Sequence, residues 1–545
     1  MSNHLTNNEA AEPATGAKRR RRIWLASGVA GLTGVVSLAG VGVATGAGAA
    51  GVDGLRWATA QVSQDGDKGG DRHDENRDWR GKDDRRDDKD RKDDKDRKDD
   101  KVKEVPCDTD KLIQAIVFAN DNHGATLELA KDCTYNLTRY DQYGNGLPVI
   151  TEKVTLKGDK TKIVRDATAE YFRILNVGPG GHLTVKGLTI KGGQTLDYLT
   201  APDPAAVWSA YSTSVEAQAA ATKAGKATAM TPRTTLQAAP KATPKGGVST
   251  LVEEPEFNDG AGILVQPGGT ADIEYSEVLQ NQSGGNGGGV ANFGTTSIRQ
   301  STVAENTAFF FGGGVFNAGV LRVFDSKVTN NEAGIGGAGI SNGAAEIFTD
   351  DVDGGTVWVE KSEISRNKTI GFGGGILDIE GNTTVKQSKI SDNTALVAGG
   401  GIAAAESSLN LHDVKVEKNS TIGVGGGLAI AFGSRATIEN TSIKDNVAVF
   451  FGGGLFNEGS ITVLRKSEVV GNRAIGPIGI GGGIFNLGGE VRLDNTKVAN
   501  NSSRVPPGGI FTSNSGVIID DKSAVTGNRP TNCLGLGATP PNCFG

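Results

Sequence analysis

Short alternating runs dominate the second half of the chain. In each, Val or Ile stands three residues before an Asn, and two residues before that aliphatic stands Ser or Thr, except at Val414. The aliphatic positions are Val278, Val303, Val328, Ile364, Ile390, Val416, Ile443, Val469, Val498 and Val525. The Asn positions are Asn281, Asn306, Asn331, Asn367, Asn393, Asn419, Asn446, Asn472, Asn501 and Asn528. Alternation of this kind predicts a short strand with one face turned inward. About six residues after each Asn but the last comes a Gly-rich triplet and a branched aliphatic, with triplets starting at Gly287, Gly312, Gly337, Gly373, Gly399, Gly425, Gly452, Gly481 and, in degraded form, Pro507. An earlier triplet starts at Gly260. A period near 26 residues that outlasts every other signal predicts a solenoid of stacked coils.

Stacking places equivalent residues about 4.8 Å apart along the axis. The Val and Ile column then becomes a continuous core, and the Asn column becomes a ladder in which each amide donates to one neighbour and accepts from the other. That arrangement avoids the ~1 to 3 kcal/mol cost of each buried unpaired amide. Glycine weakens an ordinary strand, so its recurrence in triplets implies positive φ or close backbone approach at a turn. A second, patchier Asn column (Asn292, Asn317, Asn342, Asn457, Asn486) lies five residues after the triplet starts. Phe316, Phe456 and Phe485 precede three of these and, with the apolar turns Phe309-Phe310-Phe311 and Val449-Phe450-Phe451, are expected to pack against the coils.

The repeat, S-x-V-x-x-N followed by G-G-G-[IVL]-x-N, resembles the right-handed parallel β-helix repeats of the pectate-lyase-like superfold. It looks most like the polymorphic membrane protein repeats of bacterial surface proteins. The resemblance covers roughly residues 125–192 and 258–532 and implies an all-β fold, a right-handed parallel β-helix (solenoid). No long alternating segment follows the repeats to suggest an autotransporter barrel.

Upstream, residues 105–192 read as an N-terminal cap with the first coils. Asp108 or Thr109 can cap a short helix carrying Leu112, Ile113, Ile116, Val117 and Ala119, and Gly124 can stop it. A cap is needed because an open solenoid end exposes apolar side chains and strand edges. Residues 1–60 read as an export signal, with the basic cluster Lys18 to Arg22, an uncharged stretch and Ala47-Gly48-Ala49-Ala50; Arg21-Arg22-Ile23-Trp24-Leu25 resembles a twin-arginine motif. If it stays uncleaved, it is the one expected membrane contact.

Residues 61–104 form a charged linker of near-balanced sign. It cannot bury a core, and its lack of net positive charge argues against a nucleic-acid partner. Residues 193–257, rich in Ala, Thr, Pro and Lys, read as an insertion looping out of the array. The four cysteines fit an oxidising compartment. The two ends of such a solenoid lie far beyond disulfide reach, so Cys107 is expected to pair with Cys133, and Cys533 with Cys543, the latter closing a C-terminal cap at 533–545.

Chemistry is sparse. The five histidines do not cluster, and no G-H-G, G-D-D, metal-ligand or nucleophile pattern is present. One constellation stands out: Asp378 replaces Asn in the second column, and Glu380 and Glu406 occupy equivalent positions on adjacent coils. The one 36-residue repeat adds Asp350, Asp351 and Asp353 just before them. Such carboxylates would form a solvated acidic patch, a calcium site using Asp350, Asp351, Asp353 and Asp378, or a catalytic group of Asp378, Glu380 and Glu406. No cofactor is expected, with calcium the sole candidate. The favoured function is a secreted or cell-surface protein with a binding, adhesin-like or structural role toward extracellular polysaccharide or the cell envelope. The alternative is a polysaccharide lyase or glycosidase.

Overall fold

The computed structural model describes residues 102–195, 258–345, 352–536 and 539–544. The expected export signal, nearly all of the charged linker, most of the 193–257 insertion, and Asp350 and Asp351 lie outside the described residues. The linker as read from sequence ends slightly too late. Val102–Val105 is already a strand, paired in parallel with Ala125–Leu129.

The chain is a parallel β-helix. Among the described residues the coils build three sheets of 25, 9 and 12 strands, in which equivalent strands one coil apart pair in parallel. One coil shows the plan. Val290–Asn292 lies in the third sheet, Thr295–Arg299 and Thr302–Ala304 form two limbs of the first, and Thr307–Ala308 lies in the second. Between the limbs the chain turns at Gln300, and after them at Glu305, both with positive φ. These left-handed corners recur in coil after coil and turn the strand direction without interrupting the stack.

Inside the tube, the columns of Val and Ile named above are fully buried, except Val525 at the C-terminal end, which keeps slight exposure. The Asn column is equally buried and forms an unbroken ladder. Asn281 Nδ2 donates to Asn306 Oδ1 at 2.9 Å, and the same bond passes through every later member to Asn528, at 2.9 to 3.1 Å. Both ends are satisfied: Gly193 N–H donates to Asn281, and Asn528 donates to Asn532.

The glycine triplets follow from this closeness. Gly373 has φ +62°, a Cβ on Gly374 would lie 2.4 Å from Gly400 O, and one on Gly375 would lie 2.6 Å from Gly401 O and 3.0 Å from Asn393 Nδ2. Outside the third sheet the Phe residues build a second apolar layer, where Phe485 stacks on Phe511 and packs against Phe451, each at 4.6 Å. The turns before the triplets fold over that sheet, which explains their apolar character.

Helix α1 (Thr109–Asp121) closes the N-terminal end. Asp108 caps it by accepting from Lys111 N–H at 3.0 Å, and Leu112, Ala115, Ile116 and Ala119 face the first coils. Asn120 ties the helix to the coil beneath, donating to Val149 O and accepting from Thr151 N–H. Disulfides join Cys107 to Cys133 and Cys533 to Cys543, with Cα separations of 5.7 and 6.1 Å. No helix among the described residues is long and apolar enough to cross a membrane.

Candidate functional site

The acidic constellation divides into an inner and an outer part. Asp378 sits in Ile376–Ile379, fully buried in the second ladder, where Asn292, Asn317 and Asn342 hand hydrogen bonds down the axis and Asn342 Nδ2 donates to Asp378 Oδ1 at 2.8 Å. Beyond it the ladder stops, because Ala404 and Ile430 occupy the next two coils; it resumes at Asn457 and Asn486. Asp378 Oδ2 and the nearby Thr383 hydroxyl are left without a hydrogen bond of good geometry. Burial pushes the Asp378 carboxyl up to about 7, against the opposing pull of Thr383, Asn342 and the Gly381 amide.

Glu380 and Glu406 lie on the outer corners that follow, with φ +54° and +50°, one coil apart: Glu380 N–H donates to Ala405 O at 3.0 Å. The positive φ turns the chain out of the strand immediately after Asp378, so the two glutamates do not share its interior position. In the long repeat, Ala344 and Val352 exchange two backbone hydrogen bonds. Asp353 follows that bridge, and the next residue, Gly354, donates its N–H to Ile379 O at 2.9 Å beside the Glu380 turn. Among the described residues, no three His, Cys, Asp or Glu side chains are arranged to hold a metal ion.

A different surface combines more chemistry. On the outer face of the first sheet, one register column runs Lys186, Glu274, Arg299, Phe324, Glu360, Lys386, and the next runs Ser297, Arg322, Trp358, Thr384. Together with Tyr275 and Gln300 at the corner they line a cleft of about 630 Å³. It crosses six coils, or about 24 Å at ~4.8 Å per spacing.

Trp358 is 41 % exposed and Tyr275 58 % exposed, unusual for large rings on a sheet surface. Cations sit over them: the Arg322 guanidinium lies 5.0 Å from the Trp358 ring centre and Lys186 Nζ lies 5.6 Å from that of Tyr275, while Lys361 lies 5.3 Å from Phe324 beside the cleft. Such stacking holds a guanidinium flat over an aromatic face and leaves its N–H groups directed along the surface. Four basic residues line the cleft against Glu274 and Glu360. Aromatic faces beside forked cations suit a polymer with apolar ring faces and carboxylate or sulfate groups.

Glu274 and Glu360 are three strand spacings apart, about 14 Å along the sheet. That exceeds the ~5 to 9.5 Å of glycosidase carboxylate pairs. Sequence reasoning missed this cleft because it followed the inward columns and the triplets. The available signal was an outward Trp between two inward valines in Val357-Trp358-Val359, one period after Leu321-Arg322-Val323-Phe324.

Residues 340–503 match the family described as right handed beta helix region, in keeping with the fold, which is a right-handed parallel β-helix. No curated protein matches the sequence. Among solved structures, the A-module of the mannuronan C-5 epimerase AlgE6 of Azotobacter vinelandii is similar at 14 % identity and a TM-score of 0.39, over 76 % of this chain and 95 % of that one.

Proposed function

We propose that the chain is an exported β-helix protein that binds an acidic polysaccharide of the extracellular space or cell envelope and does not cleave it. The carrying observation is the cleft of Tyr275, Arg322, Phe324 and Trp358, which combines exposed rings with cations over a length suited to a polymer. Two disulfides support an extracellular setting. The cleft carboxylates Glu274 and Glu360, three strand spacings apart, are too distant for paired acid–base work on a glycosidic bond.

The test is retention of polyuronate and sulfated glycans by the purified protein, with a neutral glucan and single-stranded DNA as controls, combined with assay for new reducing or unsaturated ends. Retention of the acidic glycans without new ends, lost in Trp358→Ala and Arg322→Ala, is the expected result. Cleavage abolished by Glu380→Gln or Glu406→Gln would make the outer corners a glycosidase pair instead, a reading favoured by their one-coil separation. A calcium-dependent rise in melting temperature removed by Asp378→Asn would assign a metal role to the acidic constellation.

A further inference from the structure

Wherever the second ladder carries Asn, its Nδ2 donates to a carbonyl at the following turn: Asn317 to Gly319 O at 3.1 Å, Asn342 to Gly355 O at 3.0 Å, Asn457 to Ser460 O at 3.0 Å and Asn486 to Gly489 O at 2.9 Å. Gly381 holds the equivalent position after Asp378, since Asn382 N–H donates to Gly355 O and Ser408 N–H to Gly381 O. Asp378 Oδ1 already accepts from Asn342. Oδ2 therefore stands where each Asn of the column has an amide donor, and it makes no hydrogen bond of good geometry.

We propose that Asp378 is a proton-operated weak point in the array. With a proton on Oδ2 the side chain offers the donor that asparagine supplies elsewhere; without it, a buried charged oxygen is left without a donor of good geometry and the coil loosens.

Among the described residues no cation faces the charge, and only the Thr383 hydroxyl, the Asn342 amide and the Gly381 N–H favour it, less than burial opposes it. The groups that meet Asp378 are Asn342 on the preceding coil, Ala404 on the following one, Thr383 on the adjoining strand and the glycine turns at Gly355 and Gly381, all neutral. The other described acids of the constellation, Glu380, Glu406 and Asp353, belong to the outer turns. Packing at Gly381 is tight, since a Cβ there would lie 2.5 Å from Asp378 Oδ1.

The raised carboxyl, about 7 when folded against about 4 when exposed, gives the sign. The folded coil holds the proton more tightly than the open one, so stability is fully present below about pH 4 and is lost as pH rises to about 7. Thr383 faces Asp378, while Thr384 and Lys386 on the same strand line the cleft, so the weak point lies behind one end of it. The proposal stands whether or not that cleft binds glycan.

Hydrogen exchange on the full chain at pH 5 and pH 8, corrected for intrinsic rates, tests it. Protection of residues 376–386 should fall roughly 10- to 100-fold relative to residues 484–494 on going to pH 8. Asp378→Asn should flatten that difference and melt above wild type at pH 8. Equal protection of the two segments at both pH values overturns the proposal, as does a variant that folds but melts below wild type at pH 8. If the variant does not fold, the wild-type exchange ratio alone decides.

Discussion

Asn393 donates its side-chain amide to Asn419 Oδ1 at 3.0 Å, and its backbone N–H reaches the same oxygen at 3.0 Å. On the other side its own Oδ1 receives the equivalent pair from Asn367. Removing this one side chain leaves two donors of Asn367 without an acceptor and takes one donor from Asn419, all inside a dry core. Asn393→Ala should therefore destabilise the array by about 2 to 5 kcal/mol in denaturant titration. Asn410→Ala, on the exposed outer face, should stay within about 0.5 kcal/mol.

Trp358→Ala should weaken retention of an acidic glycan by roughly 3- to 30-fold, since it removes a stacking face and the platform that holds Arg322. Binding should also weaken as salt is raised from low to physiological ionic strength, because the cations are exposed to solvent. Calorimetric titration at two salt concentrations checks both. A salt-independent affinity would assign the interaction to the rings alone.

Limited trypsin digestion should leave a resistant fragment beginning at Val102. Cleavage after Lys103 should be slow despite its accessibility in the sequence, because that residue is held in the ladder with Leu127. N-terminal sequencing of the fragment distinguishes the two sites.

Replacing Cys107 and Cys133 together by Ser should cost about 3 kcal/mol, since the bridge closes a loop across 26 residues of the N-terminal cap. The loss should appear first as faster exchange in α1 and in the strand Val102–Val105, which lose their tie to the coil bearing Cys133. Peptide-resolved exchange under mild denaturant reads this directly.

Phase was what the sequence made legible. An Asn three residues after a β-branched residue, repeated at a nearly constant interval, implies both the ladder and its buried setting, because a side chain on a stacked coil has few other neighbours. Cysteine pairing followed from the same elongation. The cleft was not legible from periodicity, since Arg322, Phe324 and Trp358 interrupt the outward columns once instead of repeating. The position of Asp378 was readable but its direction was not. Whether residue 378 shares a surface with Glu380 depends on where a left-handed corner falls, and non-glycine residues carry no strong local signal for that. The start of folded structure was misplaced for a related reason, as Val102–Val105 continues a charged stretch and gains its strand from pairing with Ala125–Leu129.

The unbroken Asn ladder also makes the array modular in length. Asn393 and Asn419 are separated by 26 residues and present the same donors and acceptors to their neighbours. Excising residues 394–419 would leave Asn393 facing Asn446, which now serves Asn419 in the same way. One coil would vanish while its neighbours met in register. A deletion of half that length would instead set Asn against the wrong wall of the tube and turn inward columns outward. Tolerance of this molecule to insertion and loss is therefore quantised in whole coils, and the long repeat keeps to that rule, since Ala344 pairs with Val352 and the strands on either side stay in register.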